Sequence, residues 1–353
     1  MPASTTPAEH HNAITQHEVG STAKIVRFHE LGGPEVLQIE ELPLPEPGPG
    51  EVRLRVKAIG LNRAEVAFRA GKYLVTPELP SKLGYEASGI VEAIGIGVSQ
   101  TWLGKIASTV PAFPADKYGV YGEVAIVPAS ALAEYPQTLS PEEGTSIWMQ
   151  YLTAWGALCH FGKLAKGDYV LIPAASSSVG LAAIEICNAE GAVPIALTRT
   201  QVKKQELLAL GAAHVVVTET EDIVERVKEI TGGKLARLVF DPVGGATFAK
   251  LAEATAPQGT LFLYGMLGRG ETPLPVGPVL SKHLTVRGYT LFEITGFPES
   301  AKLREQGEDY IRKGLISGVF KPKIAKTFPL DQIVEAHRYM QSNEQVGKIV
   351  VTV

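Results

Sequence analysis

Cysteine is almost absent from this chain: Cys159 and Cys187 are the only two in 353 residues. Two isolated thiols cannot build a disulfide framework, nor a cysteine-rich zinc lobe. No block of like charge occurs either. The 33 basic and 37 acidic residues nearly balance, at a formal net charge of −4. A protein gripping nucleic acid through a basic patch would need the opposite excess. Long apolar runs are missing, so no segment approaches the ~20 residues of a membrane span. The first 22 residues lack an apolar stretch and have no lysine or arginine before Lys24. Neither a secretory signal nor an arginine-rich transit peptide fits them. They are expected to be a disordered tail, in which His10, His11 and His17 are too loosely spaced to argue for metal. The expected setting is the cytoplasm.

Apolar residues are plentiful at 45%, enough to fill the cores of two ordinary domains. From Ala23 to about Ile147 the pattern is β-rich and irregular, with strands expected at 23–28, 37–41, 51–59 and 88–94. Pro43, Pro45, Pro47 and Pro49 alternate between two of them, which suits an extended connection and excludes a helix. From residue 148 short β-branched runs alternate with helical stretches. Strands are expected at 169–174, 193–197, 214–218, 237–241, 260–264 and 284–289. Helices fall between the first five of these, at 179–190, 202–210, 221–230 and 246–254. That alternation predicts a parallel sheet covered on both faces, a doubly wound nucleotide-binding domain over 148–292. Residues 293–353 return to mixed character and end in the strand 348–353, expected to rejoin the first domain.

In a doubly wound sheet the ligand's phosphates sit over the first strand-to-helix turn. Here that turn carries Ser176, Ser177, Ser178, Val179 and Gly180. All are small or helix-opening, but a serine stands at the middle glycine position of the usual fingerprint. The second strand ends in Thr198-Arg199, with Lys203 a turn later. The carboxylate that would bind a ribose 2′-hydroxyl is absent, and the guanidinium and ammonium suit a 2′-phosphate. The cofactor expected is therefore NADPH. A serine-rich cap and a solvated basic pair remain the plain alternatives.

Several further segments carry a resemblance. They are Gly32-Gly33-Pro34-Glu35-Val36-Leu37, Gly60-Leu61-Asn62-Arg63-Ala64-Glu65, Arg69-Ala70-Gly71-Lys72-Tyr73 and Gly84-Tyr85-Glu86-Ala87-Ser88-Gly89-Ile90-Val91. Leu210-Gly211-Ala212, Asp241-Pro242-Val243-Gly244-Gly245 and Gly347-Lys348-Ile349-Val350 follow in order. Together these resemble the medium-chain dehydrogenase/reductase superfamily, and within it the zinc-free quinone oxidoreductases and their enoyl reductase relatives. The resemblance runs from about Ala23 to Val353. It implies a GroES-like catalytic domain (23–147 with 293–353), a Rossmann domain and a cofactor cleft between them. At the positions matching the cysteine, histidine and cysteine of zinc relatives stand Asn62, Tyr85 and Met149. An amide, a phenol and a thioether do not make a zinc site. No cysteine occurs in the lobe 95–116, so structural zinc is not expected either.

The resemblance places Asn62 and Tyr73 beside the nicotinamide. It implies that they are hydrogen-bond donors to the oxygen on which charge develops, with Tyr73 as candidate proton donor. Asn62 could instead cap backbone groups, and Tyr73 could orient substrate while solvent supplies the proton. By the same resemblance Tyr85, Trp148, Met149 and Tyr151 line the substrate pocket, although a plain helix would bury 148–151 as core. Gln150, Thr153, Tyr264, Gly265, Leu291 and Phe292 complete the implied cofactor site. The implied activity is hydride transfer to a quinone or an α,β-unsaturated carbonyl compound. A metal-free alcohol or carbonyl oxidoreductase and a non-catalytic NADPH-binding protein are the alternatives. The strand 260–264 and the segment after it resemble the region through which relatives pair their sheets, which implies a homodimer.

Overall fold

The computed structural model describes residues 21–268 and 270–353. Most of the tail expected at 1–22 lies outside these residues. Its boundary shifts, because Thr22 already opens a strand, Thr22–Arg27, paired antiparallel with Gln38–Pro43.

Six parallel strands form one sheet, in the order His214–Val217, Val193–Thr198, Tyr169–Ile172, Ala236–Asp241, Thr255–Leu263, Thr285–Gly288. By chain position that order is 3-2-1-4-5-6, the doubly wound arrangement. The strands are apolar on both faces because helices cover both: Val170, Leu171, Ile172, Leu238, Val239 and Phe240 are wholly buried. The order reverses between Tyr169–Ile172 and Ala236–Asp241, which leaves a crevice at their carboxyl ends.

The second sheet has seven strands and runs from Ile324–Pro329 through Lys348–Thr352, Glu51–Gly60, Glu86–Ile94 and Ile106–Thr109 to Leu132–Ala133, with Val124–Pro128 also on Glu51–Gly60. Lys348–Thr352 pairs with Glu51–Gly60, so the end of the chain closes onto the N-terminal half. The mixed α/β fold is that of a GroES-like unit and a Rossmann-like unit.

Two features differ from the sequence reading. Residues just beyond 292 pack with the parallel sheet: Ile294, Ile311, Leu315 and Phe320 belong to the core around Ile172 and Phe240. The helix Ala301–Ile316 presents that apolar stripe to Trp148–Trp155. The strand expected at 260–264 begins earlier, as Thr255–Leu263; it is paired on both sides and the sheet ends at Thr285–Gly288.

Candidate active site

The nucleotide turn follows strand Tyr169–Ile172 at the crevice. Ala174 takes a left-handed conformation, φ 49°, and the chain then enters the helix Ser178–Ala189. Ser177 is its N-cap, accepting a hydrogen bond on Oγ from the Gly180 amide at 3.0 Å. Helix geometry leaves the Ser178 and Val179 amides without an intrahelical acceptor. Gly180 lets the helix cross the turn: a Cβ there would lie 2.6 Å from the Ala175 carbonyl oxygen.

Other expected cofactor contacts surround this crevice. Gln150 is buried and its Oε1 has no hydrogen-bond partner among the described residues; the same holds for the Tyr264 hydroxyl. Tyr264 stacks on Phe240, ring centroids 4.0 Å apart, and burial holds its phenol far above the usual range. Unpaired buried polar atoms are costly, and beside a helix N-terminus at a switch point they suit a polar ligand. Gly265 is packed against Pro242, whose carbonyl oxygen would lie 2.6 Å from a Cβ. Thr153 turns its hydroxyl back to the Met149 carbonyl. Leu291 and Phe292 open the short helix Phe292–Thr295, where helix geometry again frees the leading amides. The unpartnered Gln150 and Tyr264 oxygens and the leading amides suit a polar ligand, whereas the Thr153 hydroxyl is already engaged.

At the end of the second strand, Thr198 is buried, whereas Arg199 is exposed and forms no ion pair among the described residues. Lys203 differs from expectation. Its ammonium donates to Ser176 Oγ at 3.1 Å, the Asn343 carbonyl at 2.7 Å and the Gln345 carbonyl at 2.8 Å. All three hydrogens hold the loop before Gly347 against the nucleotide turn, so a free phosphate ligand is not what this lysine presents.

Across the crevice, Tyr73 and Tyr85 lie together. Tyr85 is buried, with its ring 5.8 Å from Phe292 and 6.1 Å from Phe113. Tyr73 and Met149 are half-buried against the same core. Burial raises the Tyr73 phenol, and the Glu65 carboxylate raises it further. The group is thus fully protonated at neutral pH, and its hydroxyl has no hydrogen-bond partner among the described residues.

Asn62 is turned the other way. Its Nδ2 donates to the Gly60 carbonyl and to Glu86 Oε2, both at 3.2 Å, and its Oδ1 accepts from Lys348 Nζ at 2.7 Å. Its backbone amide donates to Glu65 Oε2 at 2.8 Å at the start of helix Arg63–Arg69. The amide is therefore committed to the protein interior rather than offered to a ligand. Trp148 and Tyr151 also leave the pocket. Trp148 is 1% exposed and donates its indole N–H to Ser108 Oγ at 2.9 Å. Tyr151 stacks on Phe320 and donates to Glu185 Oε2 at 2.5 Å. On a helix buried on most sides, these positions face other elements, while Met149 is half-buried between the two cores.

Beneath the two tyrosines runs a buried polar chain that the sequence reading did not assemble. Lys348 Nζ lies 2.5 Å from Glu86 Oε2, and Glu86 Oε1 accepts the Met149 amide at 2.8 Å. Glu65 accepts from the Tyr85 amide at 3.1 Å and the Tyr121 hydroxyl at 2.5 Å. Arg69 can only donate to His337 Nδ1, so His337 Nε2 carries the proton and faces Tyr121. Burial, then Arg69, lowers the His337 imidazole to about 3, so it is neutral. The spacing Asn62-x-x-Glu65 is a capping signature that could have drawn attention to Glu65. Nothing local pairs Lys348 with Glu86, 262 residues away.

The medium-chain superfamily includes zinc enzymes, and the donors here do not fit that ion. Around Glu86 stand an amide already bonded on both ends and the Lys348 ammonium, a cation supplied by the chain itself. Among the described residues no group of three histidine, cysteine, aspartate or glutamate side chains could hold a metal. No described helix is long and apolar enough to cross a membrane.

Comparisons agree with this architecture. Residues 48–137 match the family "Alcohol dehydrogenase GroES-like domain" and 178–306 match "Zinc-binding dehydrogenase". The 2-haloacrylate reductase of a Burkholderia species is 32% identical over 333 residues, covering 92% of this chain and 97% of that protein. Escherichia coli quinone oxidoreductase, solved with NADPH, superimposes with a TM-score of 0.85 at 30% identity, over 94% of this chain and all of that one. A structure described as an NAD-dependent alcohol dehydrogenase gives 0.84 at 32% identity, over 94% and 99%. The fold and the crevice define a medium-chain dehydrogenase/reductase. Within that superfamily this chain belongs to the quinone oxidoreductase-like branch, and is an NAD(P)-binding oxidoreductase.

Proposed function

We propose that the protein reduces quinones or α,β-unsaturated carbonyl compounds with NADPH and without zinc, as a homodimer in the cytoplasm. The observation that carries this reading is Tyr73, without a hydrogen-bond partner for its hydroxyl among the described residues and packed with the Tyr85–Phe292 ring pair, in a chain whose doubly wound sheet opens a helix N-terminus at its switch point. A reduced nicotinamide bound there supplies hydride to an acceptor that is already electrophilic. The chain's own residues do the rest. Tyr85, Phe113 and Phe292 exclude water and offer flat surfaces to a planar acceptor. Tyr73, protonated and unengaged, donates a hydrogen bond or a proton to the oxygen on which charge develops. Asn62 acts indirectly, by fixing the start of helix Arg63–Arg69 and the Glu86 carboxylate. Arg199 is the candidate partner of a 2′-phosphate.

The test is NADPH oxidation by metal-stripped protein with a 1,4-quinone and a 2-alkenal in parallel, with product analysis. Turnover is expected with at least one. No turnover despite NADPH binding would overturn the reading in favour of a binding protein. Tyr73→Phe is expected to slow alkene reduction about 10- to 100-fold with NADPH affinity unchanged. An unchanged rate would assign the proton to solvent.

A further inference from the structure

The segment 343–347 joins the helix Ile333–Ser342 to the closing strand Lys348–Thr352. That strand belongs to the GroES-like half, yet the segment lies as a strap against the nucleotide turn of the other half. The Gly347 amide donates to the Ser176 carbonyl at 2.9 Å, and Ser177 and Gly347 form an isolated parallel bridge. Only glycine suits this contact. Its φ is 110°, and a Cβ there would lie 2.4 Å from the Lys323 carbonyl oxygen.

Lys203 closes the contact from the other side. It ends the short turn Gln201–Lys203 after the second parallel strand. Its ammonium has three hydrogens, and each has an acceptor: Ser176 Oγ on the nucleotide turn, and the Asn343 and Gln345 carbonyls on the strap. A single side chain therefore fixes the distance between the two. A second lysine bridges the same seam from the strap side. Lys323, whose carbonyl accepts the Lys348 amide at 2.8 Å, reaches Glu206 on the helix Lys204–Ala209 at 3.2 Å. That pair is partly exposed, so its contribution is small.

Chain connectivity gives the staple its reach. Gly347 is bonded to the nucleotide turn, and the next residue, Lys348, is bonded to Glu86 and Asn62 beneath the two tyrosines. The two halves of the site thus meet across one peptide unit.

We propose that Lys203 is a positioning residue for the dinucleotide. It holds the strap 343–347 on the nucleotide turn, and so sets the aim of the Ser178 and Val179 amides relative to the half that carries Tyr73. The inference needs only that the chain binds a dinucleotide, whatever the acceptor.

The test uses Lys203→Met, which keeps the apolar stem and removes all three hydrogens. Lys203→Arg is the second variant, keeping the charge but not the compact ammonium. Hydrogen exchange of the cofactor-free protein is read by mass spectrometry. Over 343–348 it is expected to quicken at least about tenfold in Lys203→Met, the loss of charge-assisted bonds, and by less in Lys203→Arg. Exchange in the strand Tyr169–Ile172 should not change. Dissociation constants for NADPH and NADH, from fluorescence titration, should both rise at least about threefold and by the same factor, because the turn is misaimed for either. A loss confined to NADPH would make Lys203 a phosphate ligand and overturn the inference, as would unchanged exchange over 343–348. Wild-type protein that bound neither dinucleotide would overturn the nucleotide site, and this inference with it.

Discussion

Lys348 and Glu86 are each 1% exposed, and their ion pair joins the closing strand to the strand Glu86–Ile94. A buried pair contributes little net stability, but breaking one is expensive because it strands a charge. Lys348→Met is expected to cost about 3–5 kcal/mol in urea unfolding at pH 8. Lys348→Gln, which keeps a donor beside Glu86, is expected to lose less. Equal losses in the two variants would mean that the cost is packing alone. Arg199 is a contrasting case, since it is exposed and without a carboxylate partner. Arg199→Ala should raise KM for NADPH about tenfold or more and leave that for NADH nearly unchanged, a phosphate contact being charge-assisted. An equal effect on both cofactors would remove Arg199 from the 2′-phosphate site. Residue identity at both positions is plain in the sequence, but their partners are not. Lys203 illustrates this, having the right charge in the right place and all three hydrogens already bonded.

At the scale of elements, strand Tyr169–Ile172, the serine turn and helix Ser178–Ala189 act as one unit. The helix carries Leu181, Ala183, Ile184 and Ile186 buried on more than one side, so its direction is fixed by packing and its first amides are aimed by that direction. Gly180→Ala would place a methyl group 2.6–2.8 Å from Ala175 backbone atoms. Either the helix shifts or the turn does, at about 1–3 kcal/mol. NADPH affinity is expected to fall at least tenfold, measured by fluorescence titration. Wild-type affinity with wild-type stability would show that the turn tolerates the methyl. Most strands and helices of the parallel sheet were legible within two residues, because β-branched runs and helical stretches announce themselves locally. The resemblance puts Trp148, Met149 and Tyr151 of the helix Trp148–Trp155 in the substrate pocket, and of these three Trp148 and Tyr151 are buried against other elements. Periodicity marks a buried helix without saying which neighbour each face meets.

For the molecule as a whole, the parallel sheet ends at Thr285–Gly288, and Met266, Leu274, Val276 and Leu280 are more than half exposed on the segment leading to it. An unpaired edge beside an apolar surface suits a second copy of the chain. Sedimentation should give the mass of two chains, and Leu280→Glu should shift the equilibrium towards one. A wild-type monomer at micromolar concentration would end the dimer proposal.

The sequence by itself determined the doubly wound sheet and the helix-opening turn after its first strand, both written in local pattern and spacing. The family came from resemblance, and with it the reading that Asn62, Tyr85 and Met149 stand where zinc relatives carry ligands. Only the tertiary structure decided that Asn62 faces inward, that Trp148 and Tyr151 are core, and that Lys348 supplies the cation beside Glu86. The physical reason is that a buried polar group is defined by its partners. Residues 62, 86 and 348 acquire theirs only when the closing strand docks against the first domain.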